Sequence, residues 1–144
     1  MVGTGAGSDA VINFTPELIK TNRVWGRRAD NVLVHELVHA LRMLQGLRNQ
    51  VPTTNSDWMN EEEFWACVVQ NVYISAAHSA RLRYGYGDYE SLMADPMNTS
   101  SGFLNANIDL FTKHSGPWGK VYTDLAFVHA AAFNPFREFV RERM

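Results

Sequence analysis

Residues 31–45 read NVLVHELVHALRMLQ, and Gly46 follows them. Val34, Leu37, Leu41 and Leu44 recur at helical spacing, which predicts an amphipathic helix with a buried leucine stripe. Asp30 stands where an N-cap belongs, and Gly46 stands where a C′ glycine belongs. Inside this helix His35-Glu36-Leu37-Val38-His39 forms an HExxH sequence. Two histidines four residues apart lie on one helix face, one turn apart, so both imidazoles can face a single metal ion. Zinc accepts such nitrogens at about 2.0–2.1 Å and prefers a tetrahedral shell. Glu36 then lies beside the metal, positioned to take a proton from zinc-bound water whose pKa has dropped towards about 7. A structural helix has little use for titratable groups so closely spaced unless they are exposed or bound to something.

A catalytic zinc needs a third protein ligand and one open position. The short metzincin spacing is absent: Arg42 stands where that pattern has its glycine, and Gln45 where it has its last histidine. Cys67, a lone cysteine in an apolar helix, reads as inert core. The acidic run Glu61-Glu62-Glu63 opens a second predicted helix, 61–83, with Asn60 as N-cap and Glu63 at the capping-box position. A return helix packed on the first brings one of these carboxylates to the metal. Glu61 suits the helix dipole and Glu63 the capping box, whereas Glu62 lies one turn before Ala66, whose small side chain permits close approach. The expected third ligand is therefore Glu62, with Glu63 second and Glu61 third.

Outward from these helices the chain is one domain of 144 residues with 46% hydrophobic and 12% aromatic residues, enough for a buried core. Lys plus Arg is 13 and Asp plus Glu is 15, a net charge of -2 that argues against nucleic-acid partners. A single cysteine excludes an internal disulfide framework and a cysteine-rich metal site. No apolar run reaches the ~18–20 residues of a membrane span. The start, MVGTGAGSDA, lacks the features of a classical signal peptide, and residues 1–9 are expected to be flexible, as in a segment cut from a larger chain. Residues 10–14 (AVINF) read as a short strand stopped by Pro16. Residues 91–118 read as irregular, 119–132 as a third helix, and Asn134-Pro135 as the cap and first turn of a fourth. The expected fold is α+β and mostly helical: a compact zincin-like domain with a small N-terminal sheet and the HExxH helix packed on a second, ligand-bearing helix.

The stretches VLVHELVHALRMLQG, NEEEFWACVVQN and ARLRYGYGD resemble gluzincin-type bacterial effector and toxin metallopeptidases. The similarity is to the NleD-like effector family and, more distantly, to clostridial neurotoxin light chains, and it spans roughly residues 31–88. Their pattern of HExxH, a Glu-Glu-x-x-Ala/Thr helix and an Arg-x-x-Tyr pair corresponds to His35–His39, then Glu62-Glu63 with Ala66, then Arg81 with Tyr84. The resemblance implies a zinc endopeptidase in which His35, His39 and Glu62 bind the metal, Glu63 supports it and Glu36 is the general base. It also implies a secreted effector delivered into a host cytosol or a rival bacterium, a carrier chain or secretion-apparatus fusion, and a cognate immunity protein.

Peptide hydrolysis needs a donor for the tetrahedral oxyanion. Tyr84 and Arg81 are the first candidates for that catalytic role, followed by Tyr86, Arg83 and His114. His78 and His129 read as ordinary helix histidines, and Trp25, Trp58, Trp65 and Trp118 as core or rim. Residues 10–14 are a candidate edge on which an extended substrate adds. The competing readings are a non-catalytic binding domain with a structural zinc, closed by a fourth ligand such as His78 or His114, and a small housekeeping zinc protease.

Overall fold

The computed structural model describes residues 3–15, 29–52, 58–77, 82–84, 88–90 and 99–144, with the side chains of Tyr84 and of 88–90 outside the description. Trp25, His78, Arg81, Tyr86 and the Asp95-Pro96 turn lie outside the described residues. Six helices dominate this part: α1 (Ala29–Leu44), α2 (Glu61–Ala77), α3 (Ser100–Ala106), α4 (Ile108–His114), α5 (Gly119–Ala126) and α6 (Pro135–Arg143). Strands β1 (Leu82–Tyr84) and β2 (Asp88–Glu90) pair antiparallel, with Arg83 opposite Tyr89.

Helix α2 is the axle of the molecule. Asn60 caps it, its Oδ1 accepting from the Glu63 N–H at 2.9 Å. Phe64, Trp65, Ala66, Cys67 and Val68 are all fully buried, so α2 is enclosed on nearly every side. α1 lies against its polar start, and α3 to α6 wrap the remainder. Trp65 touches the rings of Phe111, Trp118, Tyr122 and Phe136 at centroid distances of 5.1–6.2 Å. Burying such large rings is the principal stabilisation available to a chain without disulfides. The tryptophans among the described residues are core, as expected, and Cys67 is inert core, with burial pushing its thiol up to about 12.

The end of α1 follows its sequence signal. Gly46 takes φ +68°, the left-handed conformation that glycine accepts without strain. Its N–H bonds Met43 O at 3.0 Å and the Leu47 N–H bonds Arg42 O at 2.8 Å, a Schellman motif that satisfies two terminal carbonyls. The glycine-rich start, expected to move freely, runs along this end: Gly3 N–H bonds Arg48 O, Gly5 N–H bonds Gly46 O at 3.1 Å and Ser8 N–H bonds Met43 O at 3.3 Å. The approach requires glycine, since a Cβ on Gly7 would lie 1.8 Å from Leu44 O.

Other expectations are corrected. Residues 10–14 form no strand, since no segment among the described residues pairs with them, and the sheet of the described residues lies instead at β1–β2. Asp30 sits inside the first turn of α1 rather than capping it, and accepts from the Tyr73 hydroxyl at 2.9 Å. Leu37, Leu41 and Leu44 are exposed by 48%, 38% and 54%, while Asn31, His35, Val38 and Arg42 are buried. The second helix is shorter than 61–83, since Leu82–Tyr84 are extended. Within 91–118, Thr99 caps α3 through its side chain, accepting from the Gly102 N–H at 3.1 Å, and α4 follows directly. The helix expected over 119–132 stops at Ala126, where the Asn134 side-chain amide donates to Leu125 O at 2.9 Å. Asn134 also caps α6 with Pro135 in its first turn, as its sequence predicts.

Candidate metal centre and catalytic cleft

His35, Val38, His39 and Arg42 project from α1 towards the start of α2, where three consecutive carboxylates wait. Successive helical residues are rotated by about 100°, so Glu61, Glu62 and Glu63 reach three different surroundings. Glu61 meets α4: Lys113 Nζ donates to its Oε1 at 2.7 Å and His114 Nε2 lies 3.1 Å from its Oε2. The Asn49 side-chain amide donates to Oε2 at 2.6 Å. Glu62 meets Arg42, whose Nε lies 2.6 Å from Oε1 and 2.9 Å from Oε2, and it accepts the Asn49 N–H at 3.0 Å. Glu63 faces the Nε2 atoms of both HExxH imidazoles. His35 Nε2 is 3.1 Å from its Oε2, and His39 Nε2 is 3.5 Å from its Oε1.

The carboxylate nearest to both histidines is Glu63, while Glu62, the ligand expected from the sequence, is bound to Arg42. The capping-box position of Glu63 is not used as a box, because its side chain turns away from Asn60 to the histidines. Glu62 stands behind the site, its Oε2 3.9 Å from His39 Nδ1. The Nε2 atoms of His35 and His39 are 3.1 Å apart. His35, His39 and Glu63 each present a ligand atom within 4.8 Å of the others, the one group of three or more such donors among the described residues able to hold a metal ion. His114 does not join it; it is held by Glu61 and packs edge-on against Trp65 at 5.2 Å.

The charges follow this geometry. Burial works against the charged form of His39, but the bonds to Glu62 and Glu63 and the charges of Glu63 and Glu36 outweigh it and raise the imidazole to about 9. Burial likewise opposes ionisation of Glu63, yet the hydrogen bonds and charges of His35 and His39 hold it down at about 2. Glu62 is lowered despite its burial, by His39, Arg42 and the Asn49 N–H. Glu62 and Glu63 are thus ionised at neutral pH, each tied to a cation or ring.

Behind His35 stands Arg83, which the sequence offered as an oxyanion donor. It is buried, with Nη1 3.1 Å from His35 Nδ1 and 3.0 Å from Gln70 Oε1. Asn71 fixes its backbone, accepting the Arg83 N–H at 2.7 Å and donating to its carbonyl at 2.9 Å. Arg83 thus lies in the interior between His35 and Gln70. Tyr84 follows it in β1, with its side chain outside the description.

A cavity of about 220 Å³ opens beside the centre, lined by Glu36, His39, Met43, Arg48, Gln50, Asn60, Glu62 and Glu63. Glu36 is exposed at its mouth. Arg42, Arg48 and Asn49 were not singled out in the sequence as parts of the site. For Arg42 a signal existed, since His35, His39 and Arg42 share one helix face at i, i+4 and i+7.

A mostly helical fold with an HExxH helix facing a carboxylate on its neighbour defines the class to which this centre points. In agreement, the peptidase M91 family model, described as effector protein, matches residues 2–77, slightly more than half of the chain. The chain belongs to this peptidase family of effector proteins, whose action falls on protein substrates. Curated proteins and solved structures give no match. The matched part holds α1, α2 and every residue of the histidine–carboxylate cluster. Among the described residues no helix is long and apolar enough to cross a membrane.

Proposed function

We propose that this chain is a zinc-dependent endopeptidase of the gluzincin type, similar to NleD-like effectors and clostridial neurotoxin light chains. It acts as an effector or toxin domain on a protein inside a target cell. The observation that carries the reading is the convergence of His35 Nε2, His39 Nε2 and the Glu63 carboxylate. Two ligands about 2.0–2.1 Å from a tetrahedral ion stand about 3.3–3.4 Å apart. The separations here are 3.1 Å between the histidines, and 3.1 and 3.5 Å from them to the two Glu63 oxygens. Two nitrogens and one carboxylate, with the remaining side open to a cleft, fit a catalytic zinc better than a closed structural one. When bound, zinc supplies Lewis-acid polarisation and brings the pKa of the attacking water towards about 7.

His35, His39 and Glu63 hold the ion in this reading. Ligation through Nε2 puts the His35 hydrogen on Nδ1, so Arg83 Nη1 then relies on Gln70 Oε1 as its acceptor. Glu62 orients His39 from its Nδ1 side, in the way carboxylates behind zinc histidines do. Glu36, exposed at the cavity mouth, takes the proton of the attacking water and passes it to the leaving amine. Tyr84 or Arg81 donates to the developing oxyanion.

The test is peptide hydrolysis by purified protein with its metal content measured in parallel. Glu36→Gln keeps about one zinc per chain and loses roughly 10²–10⁴-fold of activity. His35→Ala loses the metal and the activity together. Full activity in Glu36→Gln, or hydrolysis that continues after His35→Ala, contradicts the reading.

A further inference from the structure

The cavity beside Glu36 contains a cation that the proposed reaction does not use. Arg48 is the one Lys or Arg among the described lining residues. Its carbonyl accepts from Gly3, while its guanidinium enters no ion pair or hydrogen bond with a described residue. The other charges of the cavity are committed. Glu62 is paired with Arg42, Glu63 with the two imidazoles, and Glu36 is the general base in the proposed reaction. A half-buried guanidinium with no partner among the described residues, at the edge of a cleft, is suited to receive an anion, because its planar fork matches a carboxylate.

The backbone from which Arg48 projects is fixed. On one side Leu47 is pinned by the Schellman bond to Arg42 O. On the other, Asn49 is buried and bonded to Glu61, to Glu62 and to the Val51 N–H. Arg48 therefore projects from a short segment clamped at both neighbours. Met43, on the same cavity wall, offers an apolar surface for an aliphatic stem, and Gln50 a neutral amide. A volume of about 220 Å³ is smaller than the roughly 300–1,000 Å³ of drug-sized pockets, and suits one substrate side chain.

We propose that Arg48 is a specificity residue, binding the side-chain carboxylate of a substrate glutamate or aspartate next to the cleaved bond. The proposal rests on the peptidase reading above and deepens it by naming the substrate class. It predicts that peptides of random sequence cut by the protein carry Glu or Asp enriched at one position beside the cut.

The decisive comparison uses a cut peptide and its twin, in which that acidic residue is replaced by its amide. The wild type prefers the acidic peptide in kcat/KM by about ten- to hundredfold, the range of one charge-assisted hydrogen-bonded pair. Arg48→Gln abolishes the preference, and Arg48→Glu turns it towards a lysine twin. Thermal unfolding confirms that both variants are folded. A preference that Arg48→Gln leaves unmoved overturns the proposal. So does an equal loss on both twins carried by kcat, which would make Arg48 an oxyanion donor. If no peptide is cut, the proposed reaction fails, and peptide twins that differ only by a glutamate or a glutamine are instead titrated onto zinc-loaded Glu36→Gln protein. There, tighter binding of the acidic twin that Arg48→Gln removes supports the proposal, and equal or absent binding overturns it.

Discussion

The two helices that build the centre bury opposite chemistry. α2 is enclosed by aromatic and aliphatic neighbours from Phe64 to Ile74, and its burial is the ordinary hydrophobic kind. α1 buries Asn31, His35 and Arg42 and turns Leu37, Leu41 and Leu44 outward. A helix face of that composition is buried stably when most of its polar groups find partners, since an unpaired one costs about 1–3 kcal/mol, as much as burying a leucine gains. Most partners stand on α2: Glu63 for the histidines, Glu62 for the Arg42 Nε, and Gln70 for the Asn31 backbone carbonyl at 2.9 Å, while Asn31 Oδ1 and Arg42 Nη1 are buried with no hydrogen-bond partner among the described residues. α2 thus acts as core along most of its length, and its first turn holds the polar face of α1. The lesson is that α1 is docked by its site residues, so the centre and the packing of this helix are one structure.

The sharpest way to break that contrast is Arg42→Met. Arg42 is fully buried, stacked 4.8 Å over Trp118, and its removal leaves the nearly buried Glu62 without its cation. Breaking one partner of such a pair costs about 3–5 kcal/mol, which denaturant unfolding would register. An intermediate effect is expected from pH. Burial lowers His114 below its ordinary value of 6.5, outweighing its bond to Glu61. The unfolded chain therefore binds the proton more readily, so this contribution to stability is complete above about 6.5 and is lost as pH falls through the lowered folded value. His114→Gln should flatten the decline in unfolding free energy just below that pH, and an unchanged slope would refute the assignment. The smallest effect belongs to the outward face: Leu41→Gln should change stability by no more than about 0.5 kcal/mol in the same denaturant experiment. A loss comparable to that of Arg42→Met would mean that the leucine face, and not the polar face, docks α1.

Much of this was readable from local signals. Asn60, Gly46 and the Asn134-Pro135 pair mark helix ends because caps act within a few residues of chain. HExxH placed both histidines on one face for the same reason. What failed depended on the third dimension. Periodicity shows that α1 has an apolar face but not which face is covered, and the ion-pairing partners of its polar face lie 20 or more residues away. The surroundings of Glu61, Glu62 and Glu63 were equally out of reach, because they depend on Asn49, Arg42 and α4, which bind two of the three. The helices α3 and α4 hid behind Gly102 and the asparagines at 105 and 107, residues of low helix propensity that packing of Phe103 and Phe111 overrides.

The most direct measurement is zinc binding to the wild type, Glu63→Gln and Glu62→Gln by competition with a chelator at fixed pH. If Glu63 is a ligand and Glu62 a support for His39, Glu63→Gln weakens zinc by the larger factor, while Glu62→Gln costs at most about 10–100-fold. A wild type that takes up no zinc, or a Glu63→Gln variant that binds it as tightly as the wild type, would contradict the centre described here.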